Sequence, residues 1–272
     1  MAPPRVTVLG GGSLGSAILA GLAAAGVEGL RTTTRSAASA QRFDGTGVEV
    51  GVLEADPRAN LAAVEGADVV ITGVKPYQTA DLLREIGPAL AADAVVVSLA
   101  VGTPLAALET ALPVGVQVVR AMPNTPVRVR RGVTGLARGT AVTDAGFAAA
   151  QEVFGLLGEV VVLDDDRIDR ISTISGSGPA YVYLLLERFA DAAVGLGFER
   201  ADAERTVAAT FSGALALLDA SGESPTELRR GVTSPNGTTA AAVAVFEERD
   251  LGGLIADALA GALRRADELA GR

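Results

Sequence analysis

The stretch "VTVLGGGSLGSAI", Val6 to Ile18, carries the spacing Gly10-x-Gly12-x-x-Gly15 between a β-branched run and an alanine-rich helical pattern. A chain with 33 glycines produces such spacings by chance. What gives this one meaning is its place, directly after the first strand and at the head of the first helix. There glycines permit a tight turn and close approach of the main chain to a pyrophosphate, whose charge rests on the helix N-terminus. The stretch predicts dinucleotide binding rather than a purely structural glycine turn.

The surrounding sequence has matching grammar. Candidate strands are Val6–Leu9, Leu30–Thr34, Val48–Val50, Val69–Val74, Ala94–Leu99, Val116–Arg120, Val133–Ala137 and Val160–Leu163, with helical patterns such as Thr79–Ala91 and Asp144–Leu157 between them. Continuous runs such as "DVVITGV" and "AVVVSLA" suit a parallel sheet buried on both faces. After "DDDRID" (Asp164–Asp169) strand patterns cease, and helices are expected over Pro179–Leu196, Asp202–Asp219, Thr238–Glu247 and Leu251–Leu269. The expected fold is therefore α/β: a doubly wound, mostly parallel Rossmann domain over residues 1–164, then an all-α domain over 165–272. In the first of those helices Tyr181, Val182, Leu184, Leu185, Leu186 and Phe189 do not fit one stripe. Such a helix needs cover on several sides, so burial against a second subunit is expected.

Composition narrows the chemistry. Hydrophobic residues make up 49% and charged residues 20%, as in a soluble globular protein. With 23 basic against 32 acidic residues the net charge is −9, which argues against nucleic acid as a partner. There is neither cysteine nor histidine. Disulfides, thiolate nucleophiles, the usual general base and the commonest metal ligands are all missing, so no metal site is expected. Chemistry must rest on a cofactor, or on hydroxyl, carboxylate, lysine and backbone groups. No apolar run reaches the roughly 18 residues that span a bilayer. The alanine-rich Ala17–Gly26 follows glycines rather than a signal's basic start, so the expected location is cytoplasmic.

Which dinucleotide is bound is read at the end of the second strand. An NAD enzyme places Asp or Glu there to accept from the ribose 2′-hydroxyl. Here the chain reads Thr32-Thr33-Thr34-Arg35-Ser36, while Glu28 comes too early and Asp44 too late. Hydroxyls with an arginine suit a 2′-phosphate, so NADP(H) is expected in preference to NAD(H).

Further motifs fall at strand ends, where open α/β sheets bind ligands. They are Val74-Lys75-Pro76, "SLAVG" (Ser98–Gly102) and "RAMPNTP" (Arg120–Pro126). Each alone reads as strand termination or turn chemistry. Taken with "GSGPAY" (Gly176–Tyr181) and "SPNGTT" (Ser234–Thr239), in order along essentially the whole chain, they resemble the pyrroline-5-carboxylate reductase family.

That resemblance implies NADPH-dependent reduction of 1-pyrroline-5-carboxylate to L-proline, the last step of proline biosynthesis. It also implies a homodimer through the C-terminal helices, within larger rings in some members. Gly10, Gly12, Ser13, Leu14 and Gly15 would hold the pyrophosphate; Thr34, Arg35 and Ser36 the 2′-phosphate; and Asn60 the adenosine portion. Val74, Lys75, Pro76, Met122, Pro123 and Asn124 would line the nicotinamide side. Ser234, Asn236, Gly237, Thr238 and Thr239 would bind the substrate, with Thr239 as the catalytic hydroxyl on the ring nitrogen. On its own residues "SPNGTT" also reads as a helix N-cap. The chain departs from the family at Asn236, where a second glycine is usual, and at Gly73, where a slightly larger residue is common. The first departure bears on ring size, so reduction of pyrroline-2-carboxylate or a piperideine carboxylate is one alternative; a non-catalytic NADP(H)-sensing role is a second, from another class.

Overall fold

Eight strands form one sheet: β1 (Val6–Leu9), β2 (Arg31–Thr34), β3 (Glu49–Val52), β4 (Val69–Thr72), β5 (Val95–Ser98), β6 (Gln117–Pro123), β7 (Gly132–Arg138) and β8 (Gly158–Val162). Their spatial order is β3-β2-β1-β4-β5-β6-β7-β8. The structure, a computed structural model, describes residues 4–269. Every neighbouring pair is parallel except β6 and β7, which run antiparallel with Arg120 opposite Ala137. The chain between those two holds a single 3-10 turn, Thr125–Val129. That is too short for the crossover a parallel pair requires. Strand order reverses beside β1, where β2 lies on one side and β4 on the other, and that is where an open sheet leaves its ligand crevice.

Helices α1 (Ser13–Ala24), α2 (Ala37–Ala40), α3 (Ala59–Val64), α4 (Pro76–Ile86), α5 (Leu105–Ala111), α6 (Asp144–Gly155) and α7 (Asp165–Ile171) accompany the sheet. Successive β1 residues enter different cores: Val8 packs with Ile18 and Leu22 of α1, and Leu9 with Leu83 and Ile86 of α4. Such two-sided burial explains why β4 and β5 read as unbroken Val and Ile. The strand positions match the sequence expectation to within a residue or three. The expected helix Thr79–Ala91 instead starts at Pro76, ideal for a first helical position, and ends at Ile86 before a 3-10 turn containing Pro88.

The chain separates into two compact units: one through Pro179 together with the stretch from Leu263, the other Ala180–Ala262. Helices α8 (Gly178–Gly195), α9 (Arg200–Ser221), α10 (Pro225–Gly231), α11 (Thr238–Glu248) and α12 (Leu251–Leu269) complete the chain. Helix α10 was not anticipated, although Ser224 and Glu227 form a reciprocal capping box at its start. Within the second unit Phe189 meets Phe211 edge-on at 5.4 Å and Phe246 at 6.4 Å, tying α8, α9 and α11 together. Yet Tyr183, Leu185, Leu215, Phe246 and Leu254 stay exposed, far more apolar surface than a helical unit of this size ordinarily shows.

Candidate functional site

The three glycines of the opening motif answer to three different constraints. Gly10 has φ +97°, a conformation open chiefly to glycine. A Cβ on Gly15 would collide with the Gly10 carbonyl oxygen, so this glycine lets α1 pack onto the loop. A Cβ on Gly12 would meet nothing within 4 Å. No contact inside the chain calls for glycine there, and the bare main chain leaves room for close approach from outside. Gly12 is also the N-cap residue of α1, with no side chain capping the helix and no acidic residue in its first turn. The orphan N–H groups and the helix dipole thus remain available to an anion, which fits a pyrophosphate.

This loop lines a cleft of about 670 Å³. Gly10, Gly12, Ser13, Leu14, Thr34, Arg35, Ser36, Asn60, Val74, Lys75 and Pro76 all line it. Gly15 lies buried behind the loop. Met122, Pro123 and Asn124 are not brought to this wall; all three are buried at the end of β6. Asn124 has both ends of its amide engaged, donating to Ser175 O at 2.9 Å and accepting from Val133 N–H at 2.8 Å. It braces the turn that follows β6. Leu99 and Val101, from "SLAVG", do reach the cleft.

Charge in the cleft is lopsided: Arg35, Arg42 and Lys75 stand against Glu54 alone. Arg42 escaped the sequence reading, and no local motif marks it. Asn60 is buried, and its amide donates to the Glu85 carboxylate at 3.2 Å, which fixes its orientation at the wall. Gly73 bonds through its N–H to Leu9 O at 2.8 Å, and a Cβ there would lie 3.3 Å from Gly10 O. The smaller residue therefore gives the glycine loop room.

Behind the loop after β5 lies a buried ionic brace. Arg120, 2% exposed, pairs with Asp165 at 3.0 Å and with Asp169. Asp169 also accepts from Gly102 N–H at 3.2 Å, and Asp165 from Leu105 N–H at 3.0 Å. Arg120 thereby fastens α7 to the sheet, and the two aspartates fasten α7 to the loop that carries Val101.

The second stretch of interest, Ser234–Thr239, heads α11. The N-cap residue is Gly237, and no side chain caps the helix, so the reading of this stretch as a side-chain N-cap does not hold. Instead Gly237 N–H closes a turn onto Ser234 O at 3.1 Å, and a Cβ at 237 would press against Ser234 Oγ at 2.6 Å. Asn236 adopts φ +61°. Among non-glycine residues, Asn tolerates this left-handed region best, so its place in the turn keeps the backbone a glycine would take. Ser234, Asn236, Thr238 and Thr239 are exposed, and the first turn of α11 carries no acidic residue.

Known proteins resemble this chain over its full length. The family description "pyrroline-5-carboxylate reductase dimerisation" matches residues 165–269, and "NADP oxidoreductase coenzyme F420-dependent" matches residues 5–102. The chain is 38% identical to the pyrroline-5-carboxylate reductase of Pseudomonas aeruginosa over 99% of this chain and 98% of that one. It is 36% identical to the enzyme of Corynebacterium melassecola, over 97% and 98%. Among solved structures, the pyrroline-5-carboxylate reductase of Coxiella burnetii superposes with a TM-score of 0.89 at 35% identity, covering 98% of both chains. The Plasmodium falciparum pyrroline carboxylate reductase, solved with NADP bound, shares the fold with a TM-score of 0.84 at 24% identity, covering 99% of both. A phosphate-ready glycine loop and an uncapped helix head, set within full-length similarity of this order, lead to one statement: the chain belongs to the pyrroline-5-carboxylate reductase family.

Proposed function

We propose that this chain reduces the C=N bond of 1-pyrroline-5-carboxylate to L-proline, with NADPH preferred as cofactor. A nicotinamide held in the cleft would supply the hydride to the ring carbon of the iminium. The π electrons of the C=N bond then settle on the already protonated nitrogen, which becomes the secondary amine. No histidine or cysteine is needed for this. The chain's own work is to bind, align and exclude water.

The observation that carries the reading is the head of α11, where a helix start is left without a side-chain cap and rich in hydroxyls. The orphan N–H groups of the first helical turn, at Thr238 and Thr239, suit the substrate carboxylate, helped by the helix dipole and the Ser234 hydroxyl. The Thr239 hydroxyl is assigned to the ring nitrogen, orienting it during hydride transfer. Asn236 preserves the turn, so nothing in its backbone favours a different ring.

For the cofactor, Gly10, Gly12, Ser13, Leu14 and Gly15 are assigned to the pyrophosphate, Thr34, Arg35 and Ser36 to the 2′-phosphate, and Asn60 to the adenosine. Val74, Lys75 and Pro76 are assigned to the nicotinamide end, with Met122, Pro123 and Asn124 supporting it from the end of β6. The absence of a carboxylate after β2 supports preference for NADPH. The apolar surface on the helical unit supports a homodimer formed through it. Among the described residues no helix is long and apolar enough to cross a membrane. A reductase drawing on the NADPH pool and a small imino acid would work in the cytoplasm.

The test follows loss of NADPH absorbance across a panel of five- and six-membered cyclic imino acids. Turnover must be fastest with pyrroline-5-carboxylate; no turnover with it overturns the proposal. Thr239→Ala should lower kcat by roughly 100-fold, as for loss of a group bonded to the reacting nitrogen.

A further inference from the structure

Arg42 is the cleft cation to which the cofactor assignments above give no task. It sits in the 3-10 turn Gln41–Phe43, just after α2. Its Nε donates to Ser39 O and its Nη1 to Gly11 O, each at 2.9 Å. The next residue, Phe43, is buried beneath the same loop, close enough that a Cβ on Gly11 would meet its ring at 2.9 Å. One short turn therefore holds the glycine loop from two sides.

Two features separate this arginine from a solvated surface charge. No carboxylate among the described residues pairs with it, so its charge stands without an acidic partner. It is tethered instead to two carbonyl oxygens, which orient the guanidinium without neutralising it. The N–H groups left over are the fork that matches a phosphate. A charge already held in position costs less to recruit than one on a free side chain.

Position decides which phosphate. Gly11 N–H bonds Thr33 O at 3.0 Å, so this corner of the glycine loop is pinned to the end of β2. Arg42 bridges that corner to Ser39, and Ser39 exchanges hydrogen bonds with Ser36, the residue after Arg35. All of them line the cleft on its β2 side. We propose that Arg42 is a second guanidinium for the 2′-phosphate of NADP(H), acting with Arg35, and so a determinant of cofactor preference. This rests on the NADP(H) reading above.

The test is calorimetric titration of the full chain with adenosine 2′,5′-bisphosphate and adenosine 5′-monophosphate, which needs no turnover. Wild type, Arg42→Gln, Arg42→Lys and Arg35→Gln are compared. Arg42 is exposed and its two bonds go to main-chain carbonyls, so these variants are expected to fold. Arg42→Gln should weaken the bisphosphate on the order of tenfold, as for one charge-assisted hydrogen bond, and leave the monophosphate nearly unchanged. Arg42→Lys, which keeps the charge and loses the fork, should fall between. Equal weakening of both ligands by Arg42→Gln would mean that the residue only braces the loop, and would overturn the inference. A selective loss at Arg35 with none at Arg42 overturns it while sparing the NADP(H) reading. No discrimination by the wild type overturns both.

Discussion

Removing either half of the Arg120–Asp169 pair should destabilise the first unit more than any exposed ion pair in the chain. Arg120 is 2% exposed and the Asp169 side chain 5%, so water cannot replace a lost partner. Breaking a buried pair from one side typically costs about 3–5 kcal/mol. The structure ranks the variants within that range. Asp169→Leu leaves Arg120 with Asp165, which is 30% exposed, and belongs near about 3 kcal/mol. Arg120→Met leaves two carboxylates facing each other without their cation and belongs near about 5 kcal/mol. In melting temperature that range is roughly 6–20 °C for a unit of this size. The double variant Arg120→Met/Asp169→Leu should recover much of the loss. It removes both charges together with Arg120 Nε, a buried donor that has no partner even in the wild type. The assay is urea unfolding followed by circular dichroism, analysed as a double-mutant cycle. Single losses below about 1 kcal/mol, or a double variant equal to the sum of the singles, would refute the reasoning. The folded single variants should also show a raised KM for NADPH, because Asp169 anchors Gly102 beside the cleft residue Val101.

Other outcomes follow from the backbone. Gly15→Ala should disrupt the packing of α1 against the Gly10 carbonyl and lower stability, whereas Gly12→Ala should leave the melting temperature nearly unchanged and weaken NADPH binding by about tenfold or more; equal effects on stability would refute the division of labour. Asn236→Ala should cost about 1 kcal/mol through left-handed strain, while Asn236→Gly should be near neutral in both stability and turnover. The Arg5 side chain hydrogen-bonds Asp68 and holds its carboxyl below the usual carboxylate range. The stability this contributes is present above that range and is lost as pH falls through the lowered value. Arg5→Ala should therefore move the acid-unfolding midpoint to higher pH.

The sheet was legible because parallel strands buried on both faces leave unbroken Val and Ile runs, and the glycine loop because its meaning lies in position. The antiparallel β7 was not legible: its direction follows from the short link after β6, and β-branched composition is silent about direction. The same holds for the cleft. Arg42 reaches Gly11 across 31 residues, a distance no local motif spans. Asn124 sits in a motif that reads as ligand-binding, yet both ends of its amide are engaged with Val133 and Ser175.

Asn236 shows the opposite error, in which a residue's identity is given chemical weight that belongs to its backbone. In sequence it stands out as a polar intruder where the family has glycine, beside the groups expected to grip a carboxylate. In the fold its φ is +61°, and the turn closes behind it through Gly237 N–H to Ser234 O. What that position must satisfy is a left-handed conformation, and asparagine satisfies it at modest cost. Gly237, one residue on, is tightly constrained instead, since a Cβ there would strike Ser234 Oγ. A change in ring preference within this family therefore need not register at the most conspicuous substitution in the turn. It should register at Ser234 and Thr239, whose hydroxyls, unlike the Asn236 backbone, are the groups assigned to the substrate.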